Sequence, residues 1–221
     1  IGFLKQKVLM DESSKIENVH LRCAYVNDEI YYDLGIRGWK FVKISANGIN
    51  FVDYGIDSPF FTRTNKTGIQ TIPNLRPDGN ALDELVKLIK VPNPEMFKVH
   101  LISMFVDGLP MPCFAIRGHA GSAKSSTSSM IKRIVDPSGN SNDSNLKSFP
   151  HGEDNFVVSL SGSYLSAFEN ISHIDKTTTN MLCRAITGGA FEKRGQYTNG
   201  DVFSINIKRK ILINGIDFQI K

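Results

Sequence analysis

Between a short apolar run, Cys113-Phe-Ala-Ile116, and a stretch of helical spacing lies the octapeptide Gly118-His-Ala-Gly-Ser-Ala-Lys-Ser125. It follows the phosphate-loop pattern G-x-x-x-x-G-K-[ST] with one departure, Ala123 in place of the last glycine. No other segment constrains the fold so strongly. The pattern works only where a strand passes through a turn of small residues into a helix N-terminus, so that backbone N–H groups and the helix dipole face an anion. In that setting Lys124 reaches the outer phosphates and the Ser125 hydroxyl holds Mg²⁺, while Gly118, His119, Ala120, Gly121, Ser122, Ala123 and Ser126 complete the cradle. The plain alternative is a small-residue turn ahead of a surface helix.

The 221 residues suffice for one sizeable core with a small appended module. The apolar runs are too short to cross a bilayer, so no membrane association is expected. Three widely spaced cysteines, Cys23, Cys113 and Cys183, support neither a disulfide framework nor a zinc site, and a reducing, cytoplasmic setting fits best. Neither His151 nor His173 has metal-ligand spacing with other side chains. The serine-rich stretch from Ser122 to Ser129 lacks the G-x-S-x-G elbow of a serine hydrolase. A net charge of +4 does not by itself imply nucleic acid. Positive charge is nevertheless concentrated at Lys193-Arg194 and Lys208-Arg209-Lys210.

Residues 1–64 read as a small β-meander module, with short aromatic and β-branched runs at 19–26, 29–34, 39–44 and 48–53. Its Trp39, Tyr31, Tyr32 and Phe41 are candidates for stacking bases, although on a small sheet such residues more often form the core. Residues 65–80, with Pro73 and Pro77, read as a linker. Helical spacing appears at 81–89 behind Asn80, at 94–105 behind Pro94, at 124–135 ahead of Pro137 and at 177–186. Residues 138–148 read as a polar loop. Strands are expected at 113–116, 164–168 and 210–214, and a hairpin at 190–207 turns at Thr198-Asn-Gly-Asp201. Alternating strands and helices over 81–221 predict an α/β domain: a three-layer sheet, mainly parallel, with helices on both faces.

A phosphate loop needs an acid at the end of a neighbouring strand, and Tyr164-Leu-Ser-Ala-Phe-Glu169 supplies Glu169 as a candidate for metal or attacking water. A strand-end surface carboxylate is the simpler reading. Asn214 ends another apolar strand, where a polar side chain can touch the γ-phosphate or merely start a turn before Gly215.

Taken with Leu182-Cys-Arg-Ala-Ile-Thr-Gly-Gly-Ala-Phe-Glu-Lys-Arg-Gly-Gln-Tyr-Thr198, these segments resemble the ATPase domain of replication proteins carried by phages and mobile genetic elements. That group is akin to superfamily 3 helicases of the AAA+ class, and the resemblance covers about residues 80–221. It implies a P-loop NTPase (AAA+-like) sheet, ATP and Mg²⁺ as cofactors, and a catalytic set of Lys124, Glu169 and Asn214, with Ser125 and Glu169 at the metal. Lys193 and Arg194 match the basic hairpin positions, and with Asn199 at the tip and Lys208 they are expected to contact single-stranded DNA in a hexameric ring. An arginine finger is expected in sequence following Lys221, and the opening Ile1-Gly-Phe-Leu suggests a piece of a longer protein. The implied function is an ATP-dependent DNA helicase. Alternatives are an ATP-gated DNA-binding or loader module, or a small phosphoryl-transfer kinase, which the lack of clustered arginines after the loop disfavours.

Overall fold

The computed structural model describes residues 17–75, 79–139, 145–194 and 202–216. Its centre is a four-stranded, all-parallel sheet formed by β7 (Phe114–Arg117), β8 (Lys147–Ser148), β9 (Leu165–Ile171) and β12 (Lys210–Gly215). The spatial order is β7-β12-β9-β8, so the last strand in sequence is inserted between the first and the third. A fully parallel sheet must be covered on both faces, and the alternation within its strands divides its residues accordingly.

On one face, Leu165, Ala167 and Leu212 pack with Ile131 and Val135 of α3 (Lys124–Val135) and with Phe97 and Leu101 of α2 (Pro94–Ser103). On the other, Phe168, Ile211 and Ile213 meet Phe156 and Leu160 of α4 (Glu153–Leu160) and Met181, Leu182 and Ala185 of α5 (Lys176–Thr187). Leu165, Leu212 and Ile213 have no exposed surface, which stabilises the sheet by about 1.5–3 kcal/mol for each side chain. The layering of helices on both faces of a parallel sheet is thus as expected. Residues 138–148 are not all loop, since β8 lies at their end, and neither β8 nor α4 had been signalled by the sequence. The apolar spacing of Phe156, Val157 and Leu160 is too brief to declare a helix alone.

Two further helical features follow local chemistry. The first helix, α1 (Ala81–Ile89), has Asn80 at its N-cap without a side-chain hydrogen bond. At α2, Pro94 occupies the first turn and the Asn93 side chain accepts from Met96 N–H at 3.1 Å, which satisfies one of the free amides of that end. Strands β10 (Ala190–Arg194) and β11 (Val202–Asn206) pair as the expected antiparallel hairpin.

The amino-terminal module contains a four-stranded meander: β2 (Cys23–Val26), β3 (Glu29–Asp33), β4 (Lys40–Ser45) and β5 (Gly48–Asp53). The run at 19–26 is not one strand. Its first two residues form β1 (Val19–His20), which pairs in parallel with β6 (Phe60–Phe61), and the chain bends at Leu21-Arg22 before β2. The bend delivers Arg22 into the interior, where it has no exposed surface. Tyr31, Tyr32 and Phe41 are buried, so of the four aromatic candidates only Trp39 stays half open, with the Arg63 guanidinium 3.8 Å above its ring centre. Cys23, Tyr32, Leu34 and Val42 belong to the same apolar cluster as α2 and α3.

Buried charge reinforces that junction. Asp136, just past α3, accepts from Arg22 Nε at 3.0 Å, from Lys132 Nζ at 2.7 Å, and from the backbone N–H groups of Tyr164 and Leu165 at 3.0 Å each. Arg22 also donates to the carbonyls of Asp33, Gly68 and Pro137. Residues 64–70 run closely against the end of α3. Gly68 N–H donates to Pro137 O, Gly139 N–H donates to Lys66 O, and the Gln70 amide donates to the carbonyls of Arg133 and Ile134. Gly68 is needed there because a Cβ would lie 2.6 Å from Pro137 O.

Candidate nucleotide-binding site

The octapeptide has the setting its pattern requires. It leaves the carboxyl end of β7 and enters α3 at Lys124. A Cβ at Gly118 would stand 2.5 Å from Ser122 Oγ, so a larger residue there would have to turn that hydroxyl away. The Ser122 hydroxyl donates to His119 O at 2.8 Å, and Lys124 Nζ donates to the same carbonyl at 2.5 Å, drawing the turn closed. It is therefore the main chain of His119 that organises the loop; its side chain is exposed.

Ala123 stands at the N-cap of α3 with φ +59° and ψ +20°, in the left-handed region that favours glycine. It provides no side-chain cap, which leaves the first amides of α3 available to an anion. The alanine strains the loop by about 1 kcal/mol. Ala123→Gly is therefore expected to raise stability by roughly 0.5–1 kcal/mol without loss of phosphate affinity. Thermal unfolding with and without nucleotide checks this; a lowered melting temperature would show that the strain is absent.

The carboxyl ends of three strands converge on this loop. A recess of about 350 Å³ is lined by Ala120 through Ser126 on one side and by Asn170 and Gly215 on the other. Asn214, 1% exposed, lies at the end of β12; its side-chain oxygen accepts from Asn170 N–H at 3.2 Å and its amide donates to Ser128 Oγ at 2.9 Å. This one side chain ties the ends of β12 and β9 to the helix of the loop. Asn170 itself, within β9, has φ +58°, a left-handed conformation that Asn tolerates better than most residues, where the pairing with β12 shifts register.

Glu169 is half-buried in β9, inside the strand rather than beyond it, since β9 runs on to Ile171. It lines a neighbouring recess with Ser148, His151, His173 and Asp175, and that recess meets the loop recess at Asn170. The two histidines thus come near Glu169 in space although not in sequence. Among the described residues no group of three or more His, Cys, Asp or Glu side chains is arranged to hold a metal on its own. A cation beside the Ser125 hydroxyl would need further oxygen ligands, such as those of a phosphate, because no carboxylate lines the loop recess itself.

The expected DNA contacts fall on the hairpin and just past it. Lys193 and Arg194 lie on β10, opposite Phe203 and Val202. Asn199 lies outside the described residues. Lys208 lies at the root of the hairpin, just past β11: its Nζ donates to Gly108 O, and it lines a small recess with Tyr164 and Asp107 at the amino-terminal edge of the sheet, opposite to the loop. Lys210 similarly donates to Val106 O at 2.9 Å. The reason is that β12 begins at Lys210, so the basic run precedes the strand and must sit at its starting edge.

Residues 82–221 match the model of a replication-protein family from mobile DNA. The chain belongs to the family of actinomycete integrative conjugative element replication proteins, RepA. Comparison with curated proteins finds no significant match. Interaction with DNA accords with that family, and among the described residues no helix is long and apolar enough to cross a membrane.

Proposed function

We propose that residues 81–221 form a P-loop ATPase module of the AAA+ type, acting as a superfamily 3-type DNA helicase in replication of the conjugative element. The observation that carries this reading is the parallel order β7-β12-β9-β8, which puts the loop, Asn214 and Glu169 at the same edge on three successive strands. Loop residues 118–126 hold the phosphates of ATP, with Lys124 as the cation. Ser125 and Glu169 are the residues that would hold Mg²⁺, which when bound neutralises phosphate charge. Asn214 positions the end of β9 relative to α3 and thereby sets the distance between Glu169 and the loop. The hairpin carries Lys193, Arg194 and Asn199 to single-stranded DNA, contacting phosphates without reading bases. Six copies in a ring, working in the cytoplasm, complete the proposal.

The direct test is ATP turnover with and without single-stranded DNA, followed by strand separation on a forked duplex. Stimulated turnover with unwinding is expected; stimulated turnover without unwinding would identify a loader instead. Replacing Lys193 and Arg194 together by Ala is expected to weaken single-stranded DNA binding and to reduce the salt slope by about 1.4, at roughly 0.7 per phosphate contact. An unchanged slope would take the hairpin out of the DNA contact.

A further inference from the structure

Trp39 is the only tryptophan of the chain, and it stands at the surface, 38% exposed, at the entry to β4. A single exposed apolar residue is ordinary, but this one is held there against its backbone preference. Gly38 and Trp39 both have positive φ, +83° and +53°, and the left-handed region is unusual for a bulky side chain. Strain of this kind persists only where the surrounding structure enforces it, and it collects at ligand contacts. Arg63 does the enforcing. Its guanidinium carbon lies 3.8 Å from the centre of the indole ring. The same group donates from Nε and Nη2 to the two oxygens of Asp33, at 2.8 and 2.6 Å, and from Nη1 to Ile36 O at 2.7 Å. Asp33 has no exposed surface. The guanidinium charge is therefore already matched and does not need the indole. It acts as a rigid plate beneath the ring, which is held in one pose before any ligand arrives.

The surroundings set the chemistry of the partner. From Leu34 to Val52 the chain holds Arg37, Lys40 and Lys43 and no acidic residue. Lys43 is paired with Glu29, and Lys40 stands 3.7 Å from Asp53. Arg37 is exposed and makes no ion pair among the described residues, so it is the unmatched charge beside the indole. Tyr54, 49% exposed, neighbours Trp39 across the strand ends, its N–H donating to Trp39 O at 3.0 Å. An apolar partner would bury Arg37 unpaired, and an acidic peptide would have no flat face to lay on the ring. A chain of bases joined by phosphates satisfies both, and it takes aromatic faces without regard to sequence. We propose that Trp39 is a stacking platform for a base of single-stranded DNA, with Tyr54 offering a second ring beside it and Arg37 meeting the phosphates. The site lies outside residues 81–221 and does not depend on the phosphate loop or the hairpin. Arg22 and Asp136 join the meander to the end of α3, so a strand held at Trp39 is held against the ATPase core rather than on a free arm.

Being unique, the tryptophan is its own probe. Its emission in the full wild-type chain is followed as oligothymidylate is added, while the anisotropy of a labelled strand measures binding independently. Stacking on a base quenches indole emission, so a saturating quench is expected. An abasic strand of the same length is expected to leave the emission unchanged even where it binds. Trp39→Ala is expected to lower the affinity for oligothymidylate by about 5- to 100-fold, and Trp39→Phe, which keeps a ring, by clearly less. Melting curves of both variants report that they are folded, and the quench itself requires no variant. Unchanged emission at strand concentrations where the anisotropy has saturated would overturn the platform. So would equal quenching by the abasic strand, or wild-type affinity in folded Trp39→Ala. The double alanine variant at Lys193 and Arg194 separates this site from the hairpin: a quench retained with an unchanged salt slope removes the hairpin alone. A strand that does not bind the wild-type chain at all would bring down both.

Discussion

Asp136→Asn is expected to destabilise the fold by about 3–5 kcal/mol, because it leaves two buried cations without their counter-charge. Arg22 has no exposed surface, and Lys132 and Asp136 are nearly as enclosed. Removing one carboxylate charge therefore strands both cations in a medium that cannot solvate them. Its Oδ2, the oxygen that accepts from Lys132, also receives the backbone N–H groups of Tyr164 and Leu165 at the start of β9, so the damage extends to the central sheet. Arg22→Met should destabilise comparably, since it frees the carbonyls of Asp33, Gly68 and Pro137 together with Asp136. Burial pushes the Asp136 carboxyl up, but the charges and hydrogen bonds of Lys132 and Arg22 outweigh it and hold the group below the ordinary carboxylate range.

A depressed folded pKa contributes stability that is present above the unfolded value, about 3.9, and is lost as pH falls through the folded one. Wild-type stability should consequently fall on acidification below about pH 4, and this component of the fall should be missing in Asp136→Asn. Denaturant unfolding at a series of pH values measures both effects. A variant within 1 kcal/mol of wild type at neutral pH would show that the buried cluster is not fully ionised.

Lys124→Ala is expected to lower the affinity for ATP by at least tenfold, with a range of about 10- to 100-fold for one charge-assisted contact to phosphate. The fold should be little affected. Lys124 is on the loop, and the bonds of its Nζ among the described residues are to His119 O and Ser122 Oγ, both within the loop. The change therefore separates binding from stability, unlike Asp136→Asn. Titration with ATP and a parallel melting curve are enough, and undiminished ATP affinity would defeat the assignment of the loop.

What could be read from the chain follows from where the information is local. The strand–loop–helix at 113–135 was legible because apolar run, small-residue turn and helical spacing are contiguous. The hairpin at 190–207 was legible because Asn199-Gly200 is a turn signal flanked by alternation. Asn214 and Glu169 were visible as strand-end polar residues, but their partners were not. That Asn214 would engage Asn170 N–H and Ser128 Oγ depends on β12 being inserted between β7 and β9, which no local pattern encodes. Arg22 was hidden for the same reason: in sequence it is one basic residue in an alternating run, and only the bend at Leu21-Arg22 turns it inward. Lys208 was legible as a residue next to the hairpin because it follows β11 closely, but its bond to Gly108 O, a hundred residues away, has no local signal.

Strand β12 has a consequence of its own. One end carries Asn214, tied to the helix of the phosphate loop, and the other joins the hairpin through only Ile207, Lys208 and Arg209. Its six residues span about 17 Å and are paired on both sides, to β7 and to β9. A slip along its axis that altered the grip of Asn214 would therefore be felt at the root of the hairpin.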